Sequence, residues 1–214
     1  MTLKRILSSL SMITLATGIV FAQSPAAKVA HTKASGVITP ASKAPSGTRN
    51  IWSNFGPTTT DYYNDTTGYY LLGPDNSVGL DEQWIGVPFT PHVNATVTNI
   101  EVGAQYETGT NKFTVALYDD NDGVAGSPLA SATGSNAPDF GTCCQTVTVA
   151  ITPTAVSQGV QYWIVVTSDD TIAADFTGVF VAANTADISA DVGLEGWFSF
   201  TTNTPAAAVR GTVP

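Results

Sequence analysis

The stretch Phe113-Thr114-Val115-Ala116-Leu117-Tyr118 decides the fold class. Its larger apolar side chains, those of Phe113, Val115 and Leu117, recur at every second residue. Because successive side chains of an extended strand point to opposite faces, this spacing predicts a strand with one buried and one solvated face. No window after residue 49 sustains the apolar spacing of a helix. The sequence therefore predicts an all-β domain.

The same pattern recurs along the chain. Residues 99–104 and 146–151 each place apolar side chains at every second position, and residues 206–212 form the predicted final strand. Residues 160–166 are apolar on both sides, which predicts a central strand covered on both faces. Turn signals rich in Gly, Pro, Asn and Asp separate these runs. About ten short strands at this spacing predict an antiparallel two-sheet sandwich that is jelly-roll-like.

Composition narrows the class of protein further. Of the 214 residues, 43% are hydrophobic and 12% are charged, which is too apolar for a chain disordered throughout. A net charge of -9 argues against nucleic acid and anionic membranes as partners. The length after removal of a leader, about 190 residues, suits one well-cored domain or two very small ones.

The N-terminus has the layout of a secretory signal peptide. Lys4 and Arg5 precede an apolar stretch over residues 6–21, which ends in Val20-Phe21-Ala22. We expect cleavage after Ala22 and a secreted or periplasmic protein. An uncleaved membrane anchor is the alternative, but the stretch is shorter than the ~20 residues that a span needs. The mature chain is therefore predicted to have no membrane span.

Residues 23–49 are rich in Ala, Ser, Pro and Lys, and they predict a flexible linker before a β-sandwich domain over residues 50–214. The leader carries two positive charges and the linker four, with no acid in either. The net charge of -9 therefore leaves -15 on the domain, where Lys112 and Arg210 face all 17 acids. The domain is strongly acidic and the linker is basic.

Six short motifs follow one another within this domain, namely Pro88-Phe89-Thr90-Pro91, Val115–Asp119, Gly126–Leu129, Phe140–Cys144, Gln161–Trp163 and Ala208–Thr212. Their order resembles the choice-of-anchor domains of bacterial exported proteins, most closely the R type. The resemblance covers Trp52 to the end, and the Phe-Gly-x-Cys-Cys element at 140–144 is its most specific part. It implies a secreted β-rich domain and supplies no catalytic residues. Such domains often precede a C-terminal sorting tail; the chain stops at Pro214 without one, so we expect a released or periplasmic protein.

Cys143 and Cys144 are adjacent, and they are the only cysteines of the chain. Two neighbouring thiols of an exported protein are expected to oxidise, which favours a vicinal disulfide that stiffens the loop before Thr146. Intermolecular bridging and free thiols stay open as alternatives. A functional alternative is that the disulfide forms a rigid apolar plate against which a ligand ring packs.

The run Asp119-Asp120-Asn121-Asp122-Gly123 concentrates oxygen ligands between two strands, which makes these residues a candidate calcium site. The spacing fails the EF-hand pattern, because Gly comes too early. Asp and Asn are also common in turns, since they cap their own backbone and tolerate unusual dihedral angles. We favour the turn interpretation, with calcium as the alternative.

Four tyrosines lie in polar surroundings and are predicted to be exposed, namely Tyr62, Tyr63, Tyr69 and Tyr70. They are candidates for ligand binding, because flat rings stack on the apolar faces of sugars while nearby Asp and Asn bind hydroxyl groups. Trp163 and Trp197 lie within apolar runs and are predicted to belong to the core.

Catalytic patterns are mostly absent from the sequence. His92 is the only imidazole of the domain, and neither a Gly-x-Ser-x-Gly turn nor a zinc-ligand set nor a phosphate loop is present. A glycosidase needs only two carboxylates, so it stays open as a distant alternative. We expect a non-catalytic structural or interaction module of the cell envelope or extracellular matrix. The alternative is a carbohydrate-binding module stabilised by calcium; the expected partner is accordingly an envelope protein or an extracellular polysaccharide.

Overall fold

The computed structural model describes residues 29–31, 48–57, 62–169, 171–192 and 196–214. Within these ranges the chain forms thirteen β-strands and no helix, so no described segment is a helix able to cross a membrane. The strands are β1 (Val29–His31), β2 (Arg49–Ser53), β3 (Asn64–Leu72), β4 (Gln83–Phe89), β5 (Ala95–Val102), β6 (Ala104–Thr108), β7 (Lys112–Asn121), β8 (Val124–Ser135), β9 (Val147–Val156), β10 (Tyr162–Thr167), β11 (Thr177–Val192), β12 (Trp197–Pro205) and β13 (Ala207–Thr212). The all-β prediction is confirmed.

The strands form two antiparallel sheets. The smaller sheet has the order β2-β13-β5-β9, and the larger has the order β1-β3-β11-β4-β10-β7-β8, with β6 and β12 also paired to β11. Counting β2, β4, β5, β7, β8, β9, β10 and β13 as strands one to eight, the smaller sheet reads 1-8-3-6 and the larger contains 2-7-4-5. This is the strand order of a jelly roll, on which β1, β3, β6, β11 and β12 are additions.

The core lies between the two sheets, where the predicted alternation is confirmed. Phe113, Val115 and Leu117 of β7 are fully buried, and they join one apolar cluster with Ile100 and Val102 of the other sheet. Burial of such side chains is the main force that holds the layers together.

The central strand β10 is covered on both faces, as predicted. Ile164 and Val166 belong to the core between the sheets, whereas Trp163 and Val165 pack with Ala125 in a separate cluster. The predicted start of this strand is wrong, because Val160 is 47% exposed in a turn and the strand begins at Tyr162.

The predicted strand over 99–104 is divided at Gly103, where the chain passes from one sheet to the other. The Gly103 amide donates to the Ala206 carbonyl (2.9 Å), and the Gly103 carbonyl accepts from the Val181 amide (3.0 Å). Ala206 likewise separates β12 from β13, which lie in different sheets. A Cβ atom at Gly103 would lie 2.6 Å from Val181 Cγ2, so this corner requires glycine.

The chain segments on either side of the predicted linker boundary are also paired. Three residues of the predicted flexible linker form β1, in which Val29 lies opposite Tyr69 and His31 opposite Thr67 of β3. A strand edge offers unpaired backbone donors and acceptors, which explains why the segment pairs there. β2 begins at Arg49, which lies opposite Gly211 of β13. The predicted signal peptide, residues 1–22, lies outside the described residues.

Candidate functional site

The Phe-Gly-x-Cys-Cys element forms a loop between β8 and β9. The two sulfurs of Cys143 and Cys144 are bonded to each other, and the peptide between these residues is cis. Cys144 is 1% exposed, whereas Cys143 is half-buried and reaches the surface. The predicted vicinal disulfide is thus present, and one of its two residues is accessible to solvent.

Two buried side chains hold this loop in place. Gln105 of β6 donates from Nε2 to the Thr142 carbonyl (2.7 Å) and accepts the Gly141 amide at Oε1 (2.9 Å). The Tyr63 hydroxyl donates to the Gln145 carbonyl (2.9 Å). Gly141 has a φ of 85°, a conformation that glycine adopts without steric cost. The conformation of the loop is therefore fixed by contacts on both sides of the disulfide.

Half-buried aromatic side chains share one cluster with the disulfide. Five half-buried residues belong to one cluster, which we call the disulfide–aromatic surface: Phe55, Tyr62, Tyr70, Phe140 and Cys143. They pack on a buried layer that includes Tyr63, Cys144, Val179 and Val181. Phe55 and Tyr62 are stacked in parallel, with ring centroids 4.3 Å apart. The fold thereby brings the cysteine pair together with three of the four candidate tyrosines, Tyr62, Tyr63 and Tyr70, which are far from it in the sequence.

The predicted exposure of the tyrosines is wrong for two of the four. Tyr63 is 4% exposed and Tyr69 is 1% exposed; Tyr69 belongs to the core between the sheets. Tyr62 and Tyr70 are half-buried. Neighbouring residues of a strand face opposite sides, so Tyr70 points outward when Tyr69 of β3 points inward. Only Tyr62 and Tyr70 are placed to contact a ligand, while Tyr63 supports the loop beneath them.

A buried polar network lies beneath Tyr62. Glu101 of β5 is 1% exposed, and its Oε2 accepts hydrogen bonds from Nη2 and Nε of Arg210, the latter at 2.8 Å. Its Oε1 accepts from Thr146 Oγ1 (2.7 Å) and from the Tyr62 hydroxyl (3.2 Å). Burial, and then the negative charge of Glu101, raise the pKa of Tyr62 to about 12, although Arg210 opposes this effect. The network fixes the Tyr62 ring from below.

Sequence reasoning missed Glu101, although a signal for it exists. Glu101 is the single acid within the alternating apolar segment 99–104, and Arg210 is the single cation of the final strand. When a charged side chain occurs in a strand of alternating apolar residues, its burial is favourable only if an opposite charge on a neighbouring strand pairs with it.

Carboxylates border the disulfide–aromatic surface. Burial raises the pKa of the Glu107 carboxyl. The pKa of Tyr70 is raised by burial and then by the charge of Glu107. Asp139 is exposed and directly precedes Phe140. Arg210 is paired with Glu101. Among the described residues, the carboxylates placed beside the half-buried rings are thus those of Glu107 and Asp139.

The candidate calcium residues form the end of a hairpin. Asp119, Asp120 and Asn121 are the last residues of β7, and Asn121 lies opposite Val124 of β8. Asp122 and Gly123 both have positive φ values, of 56° and 89°. Two positive φ values in a two-residue connection define a type I′ turn, for which Asp-Gly is a preferred sequence.

The acidic side chains of this hairpin are directed to different partners. Asp120 Oδ1 accepts hydrogen bonds from Trp163 Nε1 (2.8 Å) and Gln161 Nε2 (2.7 Å). Asp119 Oδ1 accepts the Ser127 amide instead. Partial burial opposes ionisation of Asp120, but the hydrogen bonds from Trp163, Gln161 and the Gly123 amide outweigh it and lower the pKa. In the described part of the chain, no three His, Cys, Asp or Glu side chains are grouped as a metal site would require.

The remaining candidates are simply placed. Trp163 is buried, as predicted, and Trp197 is half-buried against it rather than fully enclosed. His92 is exposed in the loop after β4.

In comparisons with known proteins, no family model matches the chain and no curated protein matches it significantly. The resemblance to choice-of-anchor domains therefore stays a prediction.

Proposed function

We propose that the chain is an exported, non-catalytic structural or interaction module of the bacterial cell envelope or extracellular matrix. The observation that carries this proposal is the disulfide–aromatic surface, a set of half-buried rings that share one cluster with a disulfide. A jelly roll by itself hosts many functions, so this surface, and not the fold, supports a binding role.

The make-up of the surface supports a binding role. Aromatic residues are enriched at the centres of interfaces, because they bury a large area at a low cost in side-chain entropy. Phe55, Tyr62 and Phe140 keep part of their apolar surface in water, although they pack on a buried cluster. A partner that covers these rings would remove that surface from water.

Export is supported by the leader and by the cysteines. The first 22 residues have the features of a signal peptide, and disulfides persist in the compartments outside the cytoplasm. The strongly acidic domain is suited to staying soluble there and to resisting non-specific association.

Retention of the processed chain (residues 23–214) on isolated bacterial envelope and matrix material tests the proposal. We expect the wild type to be retained and the double variant Phe55→Ala/Tyr70→Ala to be released. Tyr118→Ala is the matched control, because Tyr118 is a half-buried tyrosine of a different cluster. No retention of the wild type, or equal retention of the double variant, would contradict the proposal.

A further inference from the structure

We propose that the disulfide–aromatic surface binds the apolar face of neutral pyranose units in a polysaccharide, with the Cys143–Cys144 disulfide forming part of the contact. This inference rests on the proposed function and names the chemical class of the partner. It is carried by the composition, the rigidity and the charge of that surface.

The composition matches the chemistry of a sugar ring. One face of many pyranoses presents C–H groups, which pack on flat aromatic rings, while the hydroxyl groups point to the rim and need polar partners. The surface offers rings at Phe55, Tyr70 and Phe140. The disulfide adds polarisable sulfur, which has no strong hydrogen-bond donor. When the C–H face of a sugar covers Cys143, the protein therefore loses no strong hydrogen bond to water at the sulfur.

The rigidity of the surface lowers the cost of binding. Gln105 and Tyr63 fix the disulfide loop, and Glu101 anchors the Tyr62 hydroxyl. The parallel stack of Phe55 on Tyr62 restricts both rings. A surface that is already ordered loses little conformational entropy when a ligand binds, which matters for weak sugar contacts.

Charge selects a neutral ligand. Glu107 and Asp139 border the surface, and Arg210, the only cation of the network, is already paired with buried Glu101. An anionic polysaccharide would be repelled by these carboxylates and by the net -15 of the domain. Neutral hydroxyl groups can instead donate hydrogen bonds to the same carboxylates.

Affinity electrophoresis of the processed chain tests the inference. The gels contain a soluble neutral glucan, galactan, mannan or xylan, with anionic alginate as the charge control. We expect retardation by at least one neutral polysaccharide and none by alginate. Tyr70→Ala and the double variant Cys143→Ser/Cys144→Ser should each raise Kd about tenfold, the effect of losing one ring-sized contact. Tyr118→Ala should leave Kd unchanged.

Several results would overturn the inference. These are the absence of retardation by every neutral polysaccharide, stronger retardation by alginate, or an unchanged Kd for either Tyr70→Ala or the cysteine variant. Near-ultraviolet circular dichroism checks that each variant is folded. If the cysteine variant fails to fold, Phe140→Ala takes its place, with the same tenfold rise expected.

The outcomes separate the inference from the proposed function. Retention on envelope material that depends on Phe55 and Tyr70, without binding to any neutral polysaccharide, contradicts the sugar assignment and leaves the interaction module standing. Absence of both kinds of binding contradicts both.

Discussion

The acidic hairpin at Asp119–Gly123 and the disulfide–aromatic surface both stand out in the sequence, yet the structure gives them different roles. In the hairpin, the notable residues are neighbours in one strand and its turn, and their side chains bind separate local partners. In the disulfide–aromatic surface, the residues come from distant segments and share one cluster. A dense local motif therefore marks a turn here, whereas the candidate site is assembled by the tertiary fold.

The two regions also differ in what lies beneath them. Beneath the hairpin, the buried group that bonds its acids is a neutral indole, that of Trp163, which donates to Asp120. The disulfide–aromatic surface rests on a buried ion pair and on a buried amide, those of Glu101 and Gln105. We therefore expect substitutions beneath the surface to cost more stability than substitutions in the hairpin.

The largest expected effect comes from Arg210→Ala. This change leaves the Glu101 carboxylate, 1% exposed, without its cation. Loss of one partner of a buried pair typically costs about 3–5 kcal/mol in the free energy of unfolding. Urea denaturation measures this, with Arg49→Ala as the control, because Arg49 is exposed on the neighbouring strand. Equal losses of stability in Arg210→Ala and Arg49→Ala would contradict the expectation that the buried ion pair stabilises the region beneath the disulfide–aromatic surface.

A smaller loss is expected for Asp120→Ala in the hairpin. The change leaves the Nε1–H group of buried Trp163 without its acceptor, which costs about 1–2 kcal/mol. Asp81→Ala, at an exposed acid outside the hairpin, is the control and should have almost no effect. A loss in the free energy of unfolding as large as that of Arg210→Ala would contradict the expectation that the hairpin contributes less to stability than the ion pair does.

The third expectation concerns stability at alkaline pH. Because the pKa of Tyr62 is raised to about 12 from 10.0, the unfolded chain releases this proton first as the pH rises. The stabilisation is complete below pH 10 and is lost between about pH 10 and 12. Tyr62→Phe should make unfolding less pH-dependent in that window. The control is Tyr106→Phe, because the Tyr106 hydroxyl donates to the Gly109 carbonyl (2.7 Å) and lies outside the Glu101 network. An unchanged pH dependence in Tyr62→Phe would contradict the network beneath the surface.

The smallest expected effect is that of calcium. A site with Kd one hundred times below the calcium concentration would add about 2.7 kcal/mol to the stability. Because the acids of the hairpin face different partners, we expect the same melting temperature in calcium and in a chelator. If calcium raised the melting temperature and the double variant Asp119→Asn/Asp122→Asn abolished this rise, the hairpin would be a calcium site and not only a turn.

The sequence predicted what depends on neighbouring residues. Alternation at 113–118 placed the core face of β7 correctly, and Asp122-Gly123 indicated a turn, because both follow from local backbone geometry. The order of the strands depends on which distant segments pair, and no local pattern contains that information. The neighbourhood of Cys143, Phe55 and Tyr70 is of this second kind.

One error was avoidable. Tyr69 and Tyr70 are consecutive residues of a predicted β domain, so the two-residue period already required them to face opposite sides. Polar surroundings therefore predict exposure less well here than the two-residue period does. Glu101 could similarly have been recognised as a buried charge in need of Arg210.

The pairing of β2 with β13 has a mechanical consequence. Arg49 lies opposite Gly211, so the start of β2 and the end of β13 lie side by side at one end of this ladder. A load applied through both would act across the strands and open their hydrogen bonds one after another, as in a zipper. Attachment through one end alone would leave the ladder unloaded. The β2–β13 pairing therefore resists a pull on one of these ends better than a pull on both at once.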